Sequence, residues 1–457
     1  MTATSPGGTE ATSTGTGVSI GWQRLHPLSP VLRGGRLLAL AVLVVVRQSV
    51  ETLHVDNGRD AVPYLLGVPV VAVLAVVQWR TTRWRVEDGD FRLETGVLRR
   101  RSRRVPLARL QAVDLVRPPL ARLTGLAELR LQAVGHDGAE AGLAYLSLPE
   151  AHRVRAVLLH LAGRGTITPA EPGTATAAAQ PPPGVLLARV PPGVLAASVA
   201  LSGPAATFLL LAVGLVVLGV SGPPGSGPAL LGGVFPVLLS AGAVLQRGFA
   251  REYGFRLTEA DGALGITHGL LETRVQTVPL DRVQAVVIEE PALWRVLPAT
   301  RDWVRMRVVV AGYRGESRRQ EARTDVLLPV GPRWLAGTLV ARLLPGVTVD
   351  PCPGPAPRRA RWLHPLQAGR LGLGVDDRVV TITGGWPGRS IDLLPHAKVQ
   401  SWRRTQGPLG RRLRLVTLHV DVAGRPRSAI AHARDADSSG PLLERLADLG
   451  RAARARG

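Results

Sequence analysis

Four apolar blocks stand out from a chain that otherwise alternates in short polar and apolar steps. The first covers residues 31–56. Its continuous core, Leu37 to Val46, is followed directly by Arg47 and Gln48. Taken from Leu32 to Leu53 it reaches bilayer length, with Arg33 and Arg36 able to reach one headgroup layer and Arg47 and Glu51 the other. It is expected to be a first spanning helix. Residues 61–79 form a second, free of formal charge, with Pro63 and Pro69, which bilayer helices tolerate. Residues 193–220 carry no charge over 28 positions, and residues 226–246 carry none either. The short loop Ser221 to Gly225 between them predicts a helical hairpin.

The basic residues flanking these blocks set an orientation. Arg33 and Arg36 precede the first, Arg80, Arg83 and Arg85 follow the second, Arg189 precedes the third, and Arg247 and Arg251 follow the fourth. The opposite loops hold only Arg59, beside Asp56 and Asp60. Arg and Lys favour the cytoplasmic side. A multi-pass plasma-membrane protein is therefore expected, with both termini and all large regions cytoplasmic.

Outside the blocks the pattern changes to segments of four to eight residues with a period of two, separated by turn signals such as Asp88-Gly89, Asp261-Gly262 and Gly384-Gly385. It also repeats. Gly96, Pro106 and Gln111 recur as Gly269, Pro279 and Gln284, and again as Gly385, Pro395 and Gln400. Gly to Pro is ten residues each time, and Pro to Gln five. Each copy ends in an amphipathic stretch, clearest where Leu442, Leu443, Leu446 and Leu449 share one helical face. The reading is a disordered tail at 1–24, domains at 82–161, 253–345 and 371–450, a Pro/Ala-rich linker at 162–188 and a second linker at 346–370. Several short strands and one closing helix in about 80 residues point to a small antiparallel barrel rather than a βαβ unit.

Composition sharpens this. Mean hydropathy is +0.15 although 20% of residues are charged, as expected for apolar blocks set among polar domains. The net charge of +22 suits an anionic surface or nucleic acid. The apolar blocks favour the membrane, and aromatics are too few and out of register for a stacking platform, so no nucleic-acid partner is expected. The single cysteine, Cys352, admits no internal disulfide. No H-E-x-x-H, P-loop or G-x-S-x-G occurs, so neither enzyme activity, cofactor nor metal is expected. Spans two to four have no Asp, Glu, His, Lys or Arg, which speaks against a coupled transporter.

Two arginine clusters carry what surface chemistry there is. Arg99, Arg100, Arg101, Arg103 and Arg104 lie between the first signature Gly and Pro. Arg403, Arg404, Arg411 and Arg412 follow the third signature Gln. Both read as contacts for anionic lipid headgroups or partner proteins, with a solvated basic face as the alternative. The signature Gly, Pro and Gln positions read as structural, the Gln side chains satisfying backbone groups where strands diverge. Trp79 and Trp84, just past the second block, read as interfacial anchors.

The blocks Gly96–Gln111, Gly269–Gln284 and Gly385–Gln400, with Leu25-His26-Pro27 ahead of the first span, resemble the bacterial pleckstrin-homology-like membrane proteins, the bPH2, DUF304 or YdbT-like group. Leu363-His364-Pro365 echoes the last element, although no apolar span follows it. The resemblance covers roughly 25–450. It implies membrane helical hairpins with three split β-barrels, each closed by a C-terminal helix, and a scaffold or accessory role without catalysis. A component of an export or transport assembly is the alternative. A shared fold does not bring a ligand with it.

Overall fold

The computed structural model describes residues 20–24, 29, 77, 80–87, 90–95, 101–107, 110–133, 141–161, 184–221, 227–260, 262–310, 326–349, 354–423 and 428–456. The expected first two spans fall outside these apart from Val77, as do Trp79, Gly96, Arg99, Arg100 and residues 162–183 of the first linker. The chain divides into two compact units. The first is Met1–Val113, Leu120–Val134 and Ala141–Pro172, and the second is Asp114–Pro119, Gly135–Glu140 and Gly173–Gly457.

In the first unit, β1 (Ile20–Arg24), β2 (Arg83–Glu87), β3 (Asp90–Thr95) and β4 (Arg101–Pro106) form an antiparallel sheet in that order, so the end of the expected disordered tail is a strand paired with β2. Alternation explains its two faces. Trp84, Val86, Phe91 and Leu93 are buried, and Trp84 opposes Leu93 while Val86 opposes Phe91. The Trp84 and Phe91 rings stack at 6.1 Å. Trp84, expected at a membrane interface, is thus a fully buried core residue: its position on the inward side of a period-two strand outweighs its closeness to an apolar block.

The chain continues through β5 (Leu110–Arg117), β6 (Leu126–Ala133) and β7 (Ala141–Ser147), of which β6 and β7 pair as a hairpin. The helix Leu148–Leu161 follows, with Ala151, Val154, Arg155 and Leu158 buried at helical spacing. Arg155 is satisfied there by the Val113 carbonyl, 3.1 Å from its Nε.

The second unit opens with β8 (Val185–Arg189), β9 (Arg256–Ala260), β10 (Ala263–His268) and β11 (Thr273–Pro279), antiparallel neighbours in turn. The free side of β11 takes residues Leu115 to Arg117 of β5. Next come β12 (Val283–Glu290), β13 (Trp303–Val310) and β14 (Val326–Pro332), then the helix Arg333–Leu343. After β15 (Gly372–Val375), β16 (Val379–Gly384) and β17 (Arg389–Pro395), a six-stranded sheet is complete in the order β14-β13-β12-β17-β16-β15. The last sheet is β18 (Val399–Thr405), β19 (Leu415–Val422) and β20 (Ala429–Asp435), followed by the helix Ser439–Ala455.

One core gathers Leu257, Leu264 and Ile266 from β9 and β10, Val286 and Ile288 from β12, Met306 and Val308 from β13, and Leu339 and Val340 from the helix Arg333–Leu343. A second joins Val380, Ile382 and Leu394 to Leu418, Val420 and Leu446. Each core is therefore two sheets and one terminal helix, as PH-like segments should be. Among the described residues no sheet closes on itself, so no closed barrel forms. The strand after each of the first two signatures pairs with the strand that ends at the next signature Pro, β5 with β11 and β12 with β17. The cause is visible in β12, whose sequence VQAVVIEE is apolar on both faces and which must bury both edges as well.

The third apolar block also differs from expectation. It is two helices, Pro192–Ala200 and Gly203–Ser221, bent by 55° across Leu201 and Ser202. The first belongs to the domain core: Leu195 is 1% exposed, and the Trp294 indole donates to the Ser198 carbonyl at 3.3 Å. The fourth block lies in the helix Gly227–Glu252. Among the described residues no single helix is long and apolar enough to cross a membrane; Pro192–Ala200 and Gly203–Gly214 meet that measure only as a bent pair.

Candidate functional site

The repeated signature builds one local structure. Gly269 and Gly385 take φ of +113° and +98° in the turns that open β11 and β17. A side chain at Gly269 would run into the Glu272 carbonyl, so only glycine fits. Ten residues on, Pro279 and Pro395 end their strands with φ of −65° and −60° and start the 3-10 turns Leu280–Arg282 and His396–Lys398. Pro suits the spot because the strand there needs no further amide donor. The next strand begins with a buried Val, Val283 or Val399, and then a bulge.

Gln284 and Gln400 stand at those bulges. The Gln284 amide donates to the Arg282 carbonyl at 3.1 Å and is 7% exposed, whereas Gln400 is exposed. In the first copy Pro106 ends β4 and Gln111 lies in β5. The two turns of the second unit touch, the Lys398 ammonium donating to the Asp281 carbonyl at 2.9 Å.

The arginine clusters fall on strand edges and the turns beside them. Arg101, Arg103 and Arg104 lie in β4, the last strand of its sheet, with Arg104 exposed. Arg403 and Arg404 lie in β18, and Arg411 and Arg412 in the short helix Pro408–Arg412 that leads out of it; all four are exposed. Arg404 donates to the Ser439 hydroxyl at 3.1 Å, fixing it over the start of the last helix. Arg403 sits opposite His419 and near Asp421. Hydrogen bonds from Ser401 and Ser428 hold the Asp421 carboxyl below its ordinary range, with Arg403 adding to the effect.

Several polar groups of the second unit lie where alternation alone gave no warning. Glu290, 2% exposed, accepts from Arg333 at 2.7 Å, with Arg295 at 3.7 Å. Its only sequence signal is a second acid at the end of an apolar strand. Arg434 is buried and donates to the carbonyls of His432, Gly354 and Leu371 at 3.3, 2.9 and 3.5 Å. Burial lowers its pKa to about 10, so it stays charged at neutral pH. His396 is fully buried, with Nε2 2.8 Å from the Asp376 carbonyl and Nδ1 without a partner among the described residues. A cavity of about 310 Å³ lies between the helix Arg333–Leu343 and the β12–β17 seam, lined by Ile288, Ala336, Ala341, Val349 and Ile391, with Arg333 as its charged group.

Face-packed sheets, each pair joined by a terminal helix, and a Gly-Pro-Gln signature used three times along the sequence define a PH-like architecture. The family described as "Bacterial PH domain" (bPH_2) matches residues 32–162 and 327–449, over half of the chain, and the chain belongs to that family. It is also similar to the UPF0699 transmembrane protein YdbT of Bacillus subtilis (strain 168). The two are 22% identical over 370 residues, covering 74% of this chain and 72% of that protein.

Proposed function

We propose that the chain is an integral scaffold or accessory protein of the plasma membrane. Four spans hold three PH-like domains on the cytoplasmic side, where they meet partner proteins or the inner leaflet, without catalysis and without nucleic acid. The observation that carries this is the dressing of the helix Gly203–Ser221. Leu209 and Leu210 are 63% and 73% exposed, and Leu211, Val213 and Val217 are exposed as well. Each such side chain left in water forgoes about 2 kcal/mol. Nothing among the described residues covers them, and the adjoining helix Gly227–Glu252 presents Leu239 and Val244 in the same way. Lipid is the solvent that removes this cost. The 19 residues of Gly203–Ser221 rise about 28 Å, just short of a hydrocarbon layer of about 30 Å, and only with Pro192–Ala200 do they reach the measure of a span.

Two further features support the reading. Arg247 and Arg251 close the helix Gly227–Glu252 on the side where the domains resume. The similar Bacillus subtilis protein is itself named a transmembrane protein. Alkaline extraction of vesicles, combined with reporters fused at each terminus, tests the proposal. The chain is expected to stay in the pellet with both reporters cytoplasmic. Release into the supernatant, or a reporter on the outer side, removes the anchoring role.

A further inference from the structure

β12 and β18 are the same strand of the repeat, each beginning four residues after Pro279 or Pro395, and their surroundings differ. Each has its hairpin partner on one side, β13 or β19, with the bulge at the same signature Gln. On its other side β12 carries β17. Among the described residues β18 carries nothing there, being the terminal strand of its sheet. Seven of the eight β12 residues are buried, whereas Gln400, Ser401, Arg403, Arg404 and Thr405 of β18 are all exposed.

The occupied edge supplies a template. Counted from the signature, the residue four before Pro395 faces the residue four after Gln284, namely Ile391 and Ile288. The pairing of β11 with β5 has the same register: Val275, four before Pro279, faces Leu115, four after Gln111. Set on β18, that register places an incoming antiparallel strand opposite Trp402, Arg403 and Arg404 in succession. Arg403 shares the outer face with His419, and Arg404 shares the inner face with Leu418.

We infer that β18 is an acceptor edge for an extended, acidic strand from a separate polypeptide, which adds to the sheet as β17 adds to β12. Backbone hydrogen bonds supply the general affinity and carboxylates opposite Arg403 and Arg404 the choice of partner. A second copy of this chain fits poorly. The equivalent strand is β4, and the shared register would put its Arg103 against Arg403 and its Arg104 against Trp402. Like charges placed directly across a strand pair oppose pairing. In β17 the residue facing the Arg403 position is Asp392, opposite Val287. The inference rests on the scaffold reading for its purpose but not for its geometry.

The test uses the full chain in detergent micelles and a fluorescent peptide, Arg-Ser-Glu-Asp-Leu-Leu-Pro. This is the β17 sequence with Glu where Ile391 stands, so that both arginines meet a carboxylate. Anisotropy should show saturable binding, weaker by roughly tenfold or more when Glu-Asp is replaced by Lys-Lys. Arg403→Glu should weaken the acidic peptide and strengthen the basic one, while Arg403→Lys keeps the order of the parent. The comparison of peptides on the unaltered chain stands even if the reversed variant misfolds. Equal affinity for both peptides, no saturation up to about 1 mM, or self-association that displaces the acidic peptide each overturns the inference. Vesicle extraction is read independently: a chain released from membranes that still selects the acidic peptide loses its anchor and keeps its acceptor edge.

Discussion

At the scale of single residues, the buried histidines carry the clearest consequence. His396 is enclosed with one ring nitrogen satisfied and the other bare, so a second proton would add a charge and an unpartnered N–H to the core. Burial accordingly lowers its pKa from the ordinary 6.5, and does the same for His364 and His432, whose rings lie 5.0 Å apart. The sign follows from proton counting. Above 6.5 neither the folded nor the unfolded chain protonates these rings. Below it the unfolded chain takes protons that the folded chain refuses, so stability present above 6.5 is lost as pH falls toward the folded values. Melting of the full chain in detergent between about pH 7.5 and 5.5 should show the loss, and His396→Gln, which keeps a donor for the Asp376 carbonyl, should flatten the slope. An unchanged slope in the variant assigns the pH dependence elsewhere. None of this was legible beforehand, because nothing in the surrounding sequence marks His396 as more enclosed than any other turn residue.

At the scale of elements, the β12–β17 seam is where the fold is most exposed to damage. Ile391 is fully buried on that seam, facing Ile288 and lining the cavity beside Arg333. Ile391→Asp should cost more than about 3 kcal/mol, since a carboxylate there has no partner and the strand cannot turn it outward without slipping its register. Ser390→Asp, on the half-buried neighbouring position, should cost under about 1 kcal/mol by the same urea titration. If the two variants unfold alike, the seam is not the cooperative element described. The strands themselves could be read from alternation, and the Gly, Pro and Gln spacing located the turn, the strand end and the bulge. Which strand lies beside which could not, because a period of two assigns faces and is silent about edges. The same limit hid the role of Pro192–Ala200. An uninterrupted apolar run looks alike in lipid and in a protein core, and only contacts such as Ser198 with Trp294 separate the two.

At the scale of the whole molecule, the sheets of the second unit join segments that the sequence presents as separate domains. Removal of everything after Asp350 would strip β17 from β12 and leave a long apolar edge uncovered. Such a truncated chain should associate through that edge, seen by light scattering in detergent as species larger than the parent. A monodisperse product of the parent's oligomeric state would mean that each segment is self-sufficient after all. A consequence also follows for synthesis. Val286 meets Leu393 only after roughly a hundred further residues have left the ribosome, a wait of about 5 to 20 s at ordinary rates of translation. Through that interval the nascent chain holds out a sticky ribbon, and whatever shields it (a chaperone, or the adjacent bilayer surface) becomes part of how this protein is made.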